Sequence, residues 1–393
     1  MKIIPVLVEN KESCCGCSAC YAICPKRAIT MEEDEKGFLY PFIDDRLCVD
    51  CSLCIKVCPI KKTNYVKENL RSPEIVAVKH KSVETRMNSS SGGVFTAISD
   101  FVLEQDGVVY GVAFNNDFKV CHMRAATKSE RDRFRSSKYV QSDLGDCFQQ
   151  IIKDLSDGKH VLFSGTPCQV AGLRNSLRGI ESGRLITLDT ICHGTPSPKL
   201  FGYYLERMKK EFNSEIIAID FRYKPKGWRS QSIRIVFENG KEYIAPALED
   251  SYYRLFLHNI ILRDCCYVCE FANINRPSDI TLGDFWGIEK SLPDFNDDIG
   301  VSLVLLNTEK GRILFDQISS VVDFMSTNLQ NCMQHNLSAP SICSPKTQQF
   351  WSDYLDHGYE YVSSKYDEPK WKMEIKKILK RLGILDRVKR VVK

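Results

Sequence analysis

The pattern C-x2-C-x2-C-x3-C-P occurs twice near the start of the chain, as Cys14, Cys17, Cys20, Cys24 and Pro25, then as Cys48, Cys51, Cys54, Cys58 and Pro59. Eight thiolates at this spacing are what two cubane [4Fe–4S] clusters require. Three cysteines of each run wrap one cluster and the fourth crosses to the other. The expected ligand sets are therefore Cys14, Cys17, Cys20 and Cys58 for the first cluster, and Cys48, Cys51, Cys54 and Cys24 for the second. Each proline follows the crossing cysteine, where its fixed φ and missing N–H help turn the chain away. Residues 1–65 thus read as an α+β, ferredoxin-like dicluster module, with Glu33–Arg46 as the hairpin-like connection between its halves. Cys15 sits outside the register and reads as a spare small residue, with a role as alternative ligand as the lesser reading.

Other uses of cysteine fit less well. A disulfide framework needs an oxidising compartment, and Met1–Asn10 shows no signal-peptide pattern. Structural zinc leaves paired C-x2-C knuckles, without a third cysteine in register or a fourth before proline. No stretch approaches the roughly 18 apolar residues of a membrane span, so a soluble, cytoplasmic protein is expected. The 393 residues allow two or three domains. The net charge of +4 is a tail property: Trp371–Lys393 carries nine Lys/Arg against Glu374 and Asp386, which is +7, leaving −3 for the rest. Nucleic-acid binding by the body is not indicated.

Lys61–Pro73 reads as a linker, and from Glu74 short apolar runs alternate with helical patterns. Strands are expected at Ile75–Val78, Val108–Val112, Val161–Phe163, Leu185–Leu188, Ile216–Phe221 and Val301–Leu306. Helices are expected at Val94–Glu104, Leu144–Leu155, Val170–Leu177, Lys199–Lys210 and Glu309–Ile318. This alternation predicts an α/β body over 73–320, divided near 155, with a mostly parallel mixed sheet. Ile233–Phe237 and Glu242–Ile244, joined across Asn239-Gly240, predict a β-hairpin. Residues 321–393 read as a C-terminal extension, whose tail Met373–Lys393 spaces apolar residues helically among basic ones. Such a tail suits a membrane surface or a partner, and equally a solvated terminal helix.

Ten cysteines remain after the repeat (18 − 8). Cys168 follows one expected strand, Cys192 follows the next, and Cys266 and Cys269 form a C-x2-C. Loops after the strands of an open α/β sheet converge on one crevice. These four cysteines are therefore candidates for a third cluster, against a reading as plain core residues.

Six segments in this order resemble the coenzyme F420 hydrogenase/dehydrogenase beta-subunit family. They are Ser89–Gly93, Ser137–Ser142, Gly165–Gln169, Cys192–Gly194, Cys266–Cys269 and Asp279–Gly287, spanning about Ser72 to Ser320. The resemblance implies FAD and an additional [4Fe–4S] cluster on Cys168, Cys192, Cys266 and Cys269, with the doublet Cys265-Cys266 as a departure from the pattern. Cys266 is favoured over Cys265 because it completes C-x2-C with Cys269. Ser91, Gly92 and Gly93 precede the expected helix at Val94, where backbone N–H groups would suit a pyrophosphate. Lys138, Tyr139 and Gln141 are candidate flavin contacts, as is Trp286 beside Phe285. His193 is a candidate proton donor, or a residue that only bonds within its loop.

The expected function is an oxidoreductase that links ferredoxin-type clusters through FAD to a two-electron acceptor or donor, such as a deazaflavin or another small substrate. Its partner would be a ferredoxin or a redox subunit. The alternative is a non-catalytic electron-transfer adaptor of a larger complex.

Overall fold

The computed structural model describes residues 5–61, 69–177, 179–180 and 183–366. The basic tail from Trp371 onward lies outside them. Among the described residues no helix is long and apolar enough to cross a membrane.

Near the N-terminus, β1 (Ile29–Glu33) and β2 (Leu39–Ile43) form an antiparallel pair in which Ile29 faces Ile43. Gly37, at φ +87°, makes the turn between them and packs against Lys199, leaving no room for a Cβ. Short helices, Ala19–Ile23 and Leu53–Lys56, sit inside the two cysteine runs.

The body is built on an eight-stranded sheet. Its strands are β3 (Asn69–His80), β4 (Val108–Phe114), β5 (Val120–Ala125), β6 (Val161–Gly165), β7 (Leu185–Thr190), β11 (Ile280–Asp284), β12 (Ser302–Thr308) and β13 (Val322–Ser326). The strand order is β13-β3-β12-β11-β7-β6-β4-β5. The runs in β6, β7 and β12 are almost wholly buried, as expected of strands covered on both faces. Helices Val94–Leu103 and Glu309–Ile318 share an apolar core on one face, and Cys147–Ser156 and Pro167–Ser176 contribute to another.

The sheet is mixed, but the expectation that it is mostly parallel is corrected. Only β11–β7, β7–β6 and β6–β4 are parallel; the other four pairings are antiparallel. The reason lies in the connections. β4 and β5 are joined by a short turn, and the chain between β11 and β12 contains only short helices, so each pair returns from the same end. Two boundaries also move. β3 begins at Asn69, inside the expected linker, and β13 pairs with β3 beyond the expected body limit at 320.

The expected strand Ile216–Phe221 does not join this sheet. It lies within β8 (Ile216–Tyr223), which forms a separate antiparallel sheet with β9 (Ser232–Phe237) and β10 (Glu242–Pro246). The β9–β10 pair is the expected Asn-Gly hairpin. This sheet belongs to an aromatic-rich core with the helices Pro198–Phe212, Ser251–Leu257 and Thr347–Tyr366, the last bent at Gly358. Phe38 and Tyr40 of the N-terminal hairpin enter the same core, while Cys17, Ala19 and Val57 enter the core around helix Pro167–Ser176. The cysteine-rich module is thus locked to the body on two sides. Burial of each large apolar side chain contributes roughly 1.5–3 kcal/mol.

Candidate iron–sulfur sites

The chain brings its repeat cysteines together in two small pockets. One is lined by Cys14, Cys15, Cys17, Cys20 and Cys58, the other by Cys24, Cys48, Cys51 and Cys54. Each pocket therefore collects three cysteines of one run and the fourth of the other. Burial raises the thiols of Cys17, Cys20, Cys54 and Cys58, although for Cys17 a hydrogen bond from Cys15 is the larger influence and acts downward. These positions disfavour bare thiolates and suit sulfurs whose charge is shared with iron. Among the described residues, no three Cys, His, Asp or Glu side chains close on a single-ion position.

A third cavity, of about 320 Å³, opens beyond the first pocket. Its lining includes Cys168, Cys192, Cys266 and Cys269, which come from three widely separated segments of the sequence. Cys168 stands in the first turn of helix Pro167–Ser176 after β6, and Cys192 lies two residues past β7. The ends of two adjacent parallel strands thus aim both cysteines at one crevice. Cys266 lies in the 3-10 helix Asp264–Val268, which ends at Cys269. Gly194 lets the chain pass close to this helix, since a Cβ there would meet Leu262 at 2.8 Å and Cys266 at 3.3 Å.

The two cysteines of the doublet differ in their surroundings. The Cys266 sulfur accepts a hydrogen bond from Cys265, and its thiol is lowered to about 7 by that bond first, with Thr195 adding to the effect. Thr195 donates its N–H to Cys266 Sγ at 3.4 Å. Cys265 is buried and its thiol is raised, first by its bond to Cys266 and then by burial, and both cysteines line the large cavity. Cys15 lines both the first pocket and the large cavity.

Helix Pro167–Ser176 couples the two sites directly. Cys168 is at its start, and one turn later Gly172 sits so close to the first pocket that a Cβ would meet Cys17 Sγ at 2.8 Å. Arg263, which sequence patterns did not single out, forms a second coupling. Its Nε donates to the Cys14 carbonyl at 2.9 Å, while its own carbonyl accepts from the Cys266 N–H at 2.9 Å. Only its place three residues before Cys266 hinted at a role.

His193 lines the large cavity. Its ring meets Phe256 edge-on, with centroids 5.0 Å apart, and burial holds its pKa below the ordinary histidine value. A neutral imidazole follows at pH 7, which makes it a poorer proton donor than an exposed histidine.

The expected flavin residues divide. Ser91 Oγ donates to the Val301 carbonyl, and the Gly92 N–H donates to Ser302 Oγ, so both are engaged within the protein. Gly93 caps helix Val94–Leu103 with φ +84°. Lys138 turns inward, its ammonium donating to the carbonyls of Arg133, Arg135 and Ser136. Gln141 lies beside the first cysteine pocket and accepts from Arg263 at 3.1 Å. Tyr139 and Trp286 do share a centre, the buried Arg222. Arg222 donates to Tyr139 Oη at 3.4 Å and to the Ser90 carbonyl at 3.1 Å, and it lies 5.5 Å from the Trp286 ring. Asp284 pairs with the same guanidinium at 3.1 Å, and Trp286 stacks on Trp228 at 5.0 Å. Asp279, at the start of the same segment, has a structural place, accepting from Arg174, Thr187 and Thr308 between β7 and β12. Tyr139, Trp286 and Arg222 thus lie together beside the loop before Val94, whereas the Lys138 ammonium and the Gln141 side chain are engaged elsewhere.

Comparisons with known proteins match two segments of the chain. Residues 13–62 match the family model of a 4Fe-4S dicluster domain. Residues 158–329 match the family model for the C terminus of the coenzyme F420 hydrogenase/dehydrogenase beta subunit. A comparison with curated proteins finds no match. Among solved structures, a chain of the xenon-derivatized F420-reducing [NiFe] hydrogenase complex from Methanosarcina barkeri is 16% identical. The alignment covers 77% of this chain and 93% of that one, with a TM-score of 0.46. The chain thus carries a C-terminal domain of the coenzyme F420 hydrogenase/dehydrogenase beta-subunit type over residues 158–329 and a 4Fe-4S dicluster domain over residues 13–62.

Proposed function

We propose that this chain is an iron–sulfur oxidoreductase subunit that exchanges electrons between a protein donor and a two-electron acceptor. Cys14, Cys17, Cys20 and Cys58 would hold one [4Fe–4S] cluster, and Cys48, Cys51, Cys54 and Cys24 a second. Cys168, Cys192, Cys266 and Cys269 would hold a third. The observation that carries this reading is the large cavity: four cysteines from three distant segments line it, with about 320 Å³ against about 30 Å³ in the adjoining pocket. That difference leaves space for a small acceptor beside the cysteines.

FAD belongs to the finer part of the proposal. When bound, it converts one-electron chemistry into two-electron hydride chemistry. Tyr139 and Trp286, which flank Arg222, would border its flat surfaces. A ferredoxin or a partner redox subunit would supply electrons at the exposed end marked by Cys51.

The test is turnover by the full chain, purified without oxygen and reduced with dithionite. Reduction of a deazaflavin or another hydride acceptor is expected, and Cys266→Ser with Cys269→Ser should abolish it. A chain with its full iron content that reduces no two-electron acceptor would be an adaptor instead.

A further inference from the structure

Arg263 differs from four other buried arginines in the charge beside it. Arg86, Arg131, Arg222 and Arg276 are each buried, and each pairs with an aspartate: Asp297, Asp100, Asp284 and Asp189 respectively. Arg263 is 0% exposed, yet among the described residues no carboxylate pairs with it. Asp264, the next residue in the chain, pairs with Lys36 at 3.0 Å, and Asp34 pairs with Lys11 at 3.0 Å. The partners of Arg263 are neutral: the carbonyls of Cys14 and Leu39, and Gln141 Oε1. The Tyr40 ring lies 3.9 Å from its guanidinium. Its remaining contact is Nη2 donating to Cys14 Sγ at 3.6 Å.

A guanidinium removed from water without an anion is costly, so buried charges are normally paired. The missing anion has a natural source in the sulfur that Arg263 touches. A cluster ligated by four thiolates carries net negative charge, and one-electron reduction adds another unit. A buried cation stabilises the more negative state, and hydrogen bonds to ligand sulfur act in the same direction. The second pocket lacks this arrangement. Its lining cation, Lys26, is exposed and therefore screened, and Cys24 Sγ receives the neutral N–H of Ala28 at 3.3 Å.

We propose that Arg263 is a positioning residue that raises the reduction potential of the first cluster and so favours the electron at the site adjoining the large cavity. The inference rests on the reading that Cys14, Cys17, Cys20 and Cys58 hold that cluster. It does not require the third cluster or FAD. The step is a one-electron transfer with no bond made or broken. A low-potential one-electron donor, reduced ferredoxin or dithionite, is oxidised, and the first cluster is reduced. Arg263 stays protonated throughout, as guanidinium does in proteins.

The experiment is an EPR-monitored redox titration of the full chain, comparing wild type with Arg263→Gln and Arg263→Lys at measured iron content. In Arg263→Gln, one midpoint should fall by an amount that changes the reduced-to-oxidised ratio at least tenfold, about 59 mV for one electron. The other midpoints should stay in place. Arg263→Lys keeps the charge without the fork geometry and should fall between the two. Unchanged midpoints in an Arg263→Gln protein with wild-type iron would overturn the proposal. If Arg263→Gln fails to hold iron, wild-type protein labelled with 15N-arginine decides the matter. A 15N coupling on the first cluster to be reduced is expected, and its absence overturns the inference. A wild-type protein with only two clusters would refute the third-site reading while leaving this test intact.

Discussion

The two pockets of the N-terminal module and the large cavity of the body use the same side chain in opposite ways. In the module, cysteines two or three residues apart close two small pockets, and one short motif sets nearly all the geometry. In the body, four cysteines arrive from the ends of β6 and β7 and from a 3-10 helix some seventy to a hundred residues farther on. A site made by local spacing is tight and repeats itself. A site made by topology depends on the whole sheet, and it leaves open volume beside the sulfurs. Such volume suits an exchange with something that comes and goes, whereas the closed pockets suit storage and relay.

The sharpest way to break this comparison is to remove ligands from one region only. Cys266→Ser with Cys269→Ser should take away about four irons per chain and leave the module's signals unchanged, as read by iron assay and EPR. Loss of all iron would mean that the regions are not independent.

The joint between them is tested at Gly172. Gly172→Ala forces a methyl against Cys17 Sγ at 2.8 Å, and overpacking of this kind costs roughly 1–3 kcal/mol. A lower denaturation midpoint should accompany a perturbed first-cluster signal. An unperturbed signal would show that the helix and the pocket are less rigidly coupled than their contact implies.

Cys15→Ala gives a smaller effect. Iron content should hold, with a modest spectral change, because Cys15 lines both sites while Cys168 is the proposed ligand. A loss of about four irons would instead make Cys15 a ligand.

The smallest effect concerns a polar anchor of the body away from both sites. Burial raises the Asp154 carboxyl, but hydrogen bonds from Arg124, Tyr110 and Lys159 outweigh it and hold the group at about 2. A folded pKa below the unfolded value near 3.9 means stability that is present above about pH 4 and is lost as pH falls toward about 2. Asp154→Asn should flatten that part of the stability–pH curve relative to wild type, measured by chemical denaturation.

Much of the module was legible because spacing alone carries the information: the cysteine register needs no tertiary knowledge. The body was legible where apolar runs are long, as in β6, β7 and β12. It was not legible in β11, whose five residues contain Gly283 and Asp284, nor in the direction of strand pairing, which depends on how connections return. The separate sheet containing β8 escaped for the same reason, since a strand's own residues do not state its partner. At the sites, the cysteines could be named, but the polar groups around them could not. Arg263 is an ordinary arginine in the sequence and becomes informative only when its burial and unpaired charge are seen. Lys138 shows the reverse: a plausible phosphate contact by type, it proves to be tied to three backbone carbonyls.

The central claim is that the topological site holds a cluster as the local sites do. The most direct measurement is iron and acid-labile sulfide per chain after strictly anoxic purification, with flavin measured on the same sample. The account predicts about twelve irons and twelve sulfides, in three cubanes, and one flavin. About eight irons with an intact chain would contradict it and leave the large cavity without a redox centre.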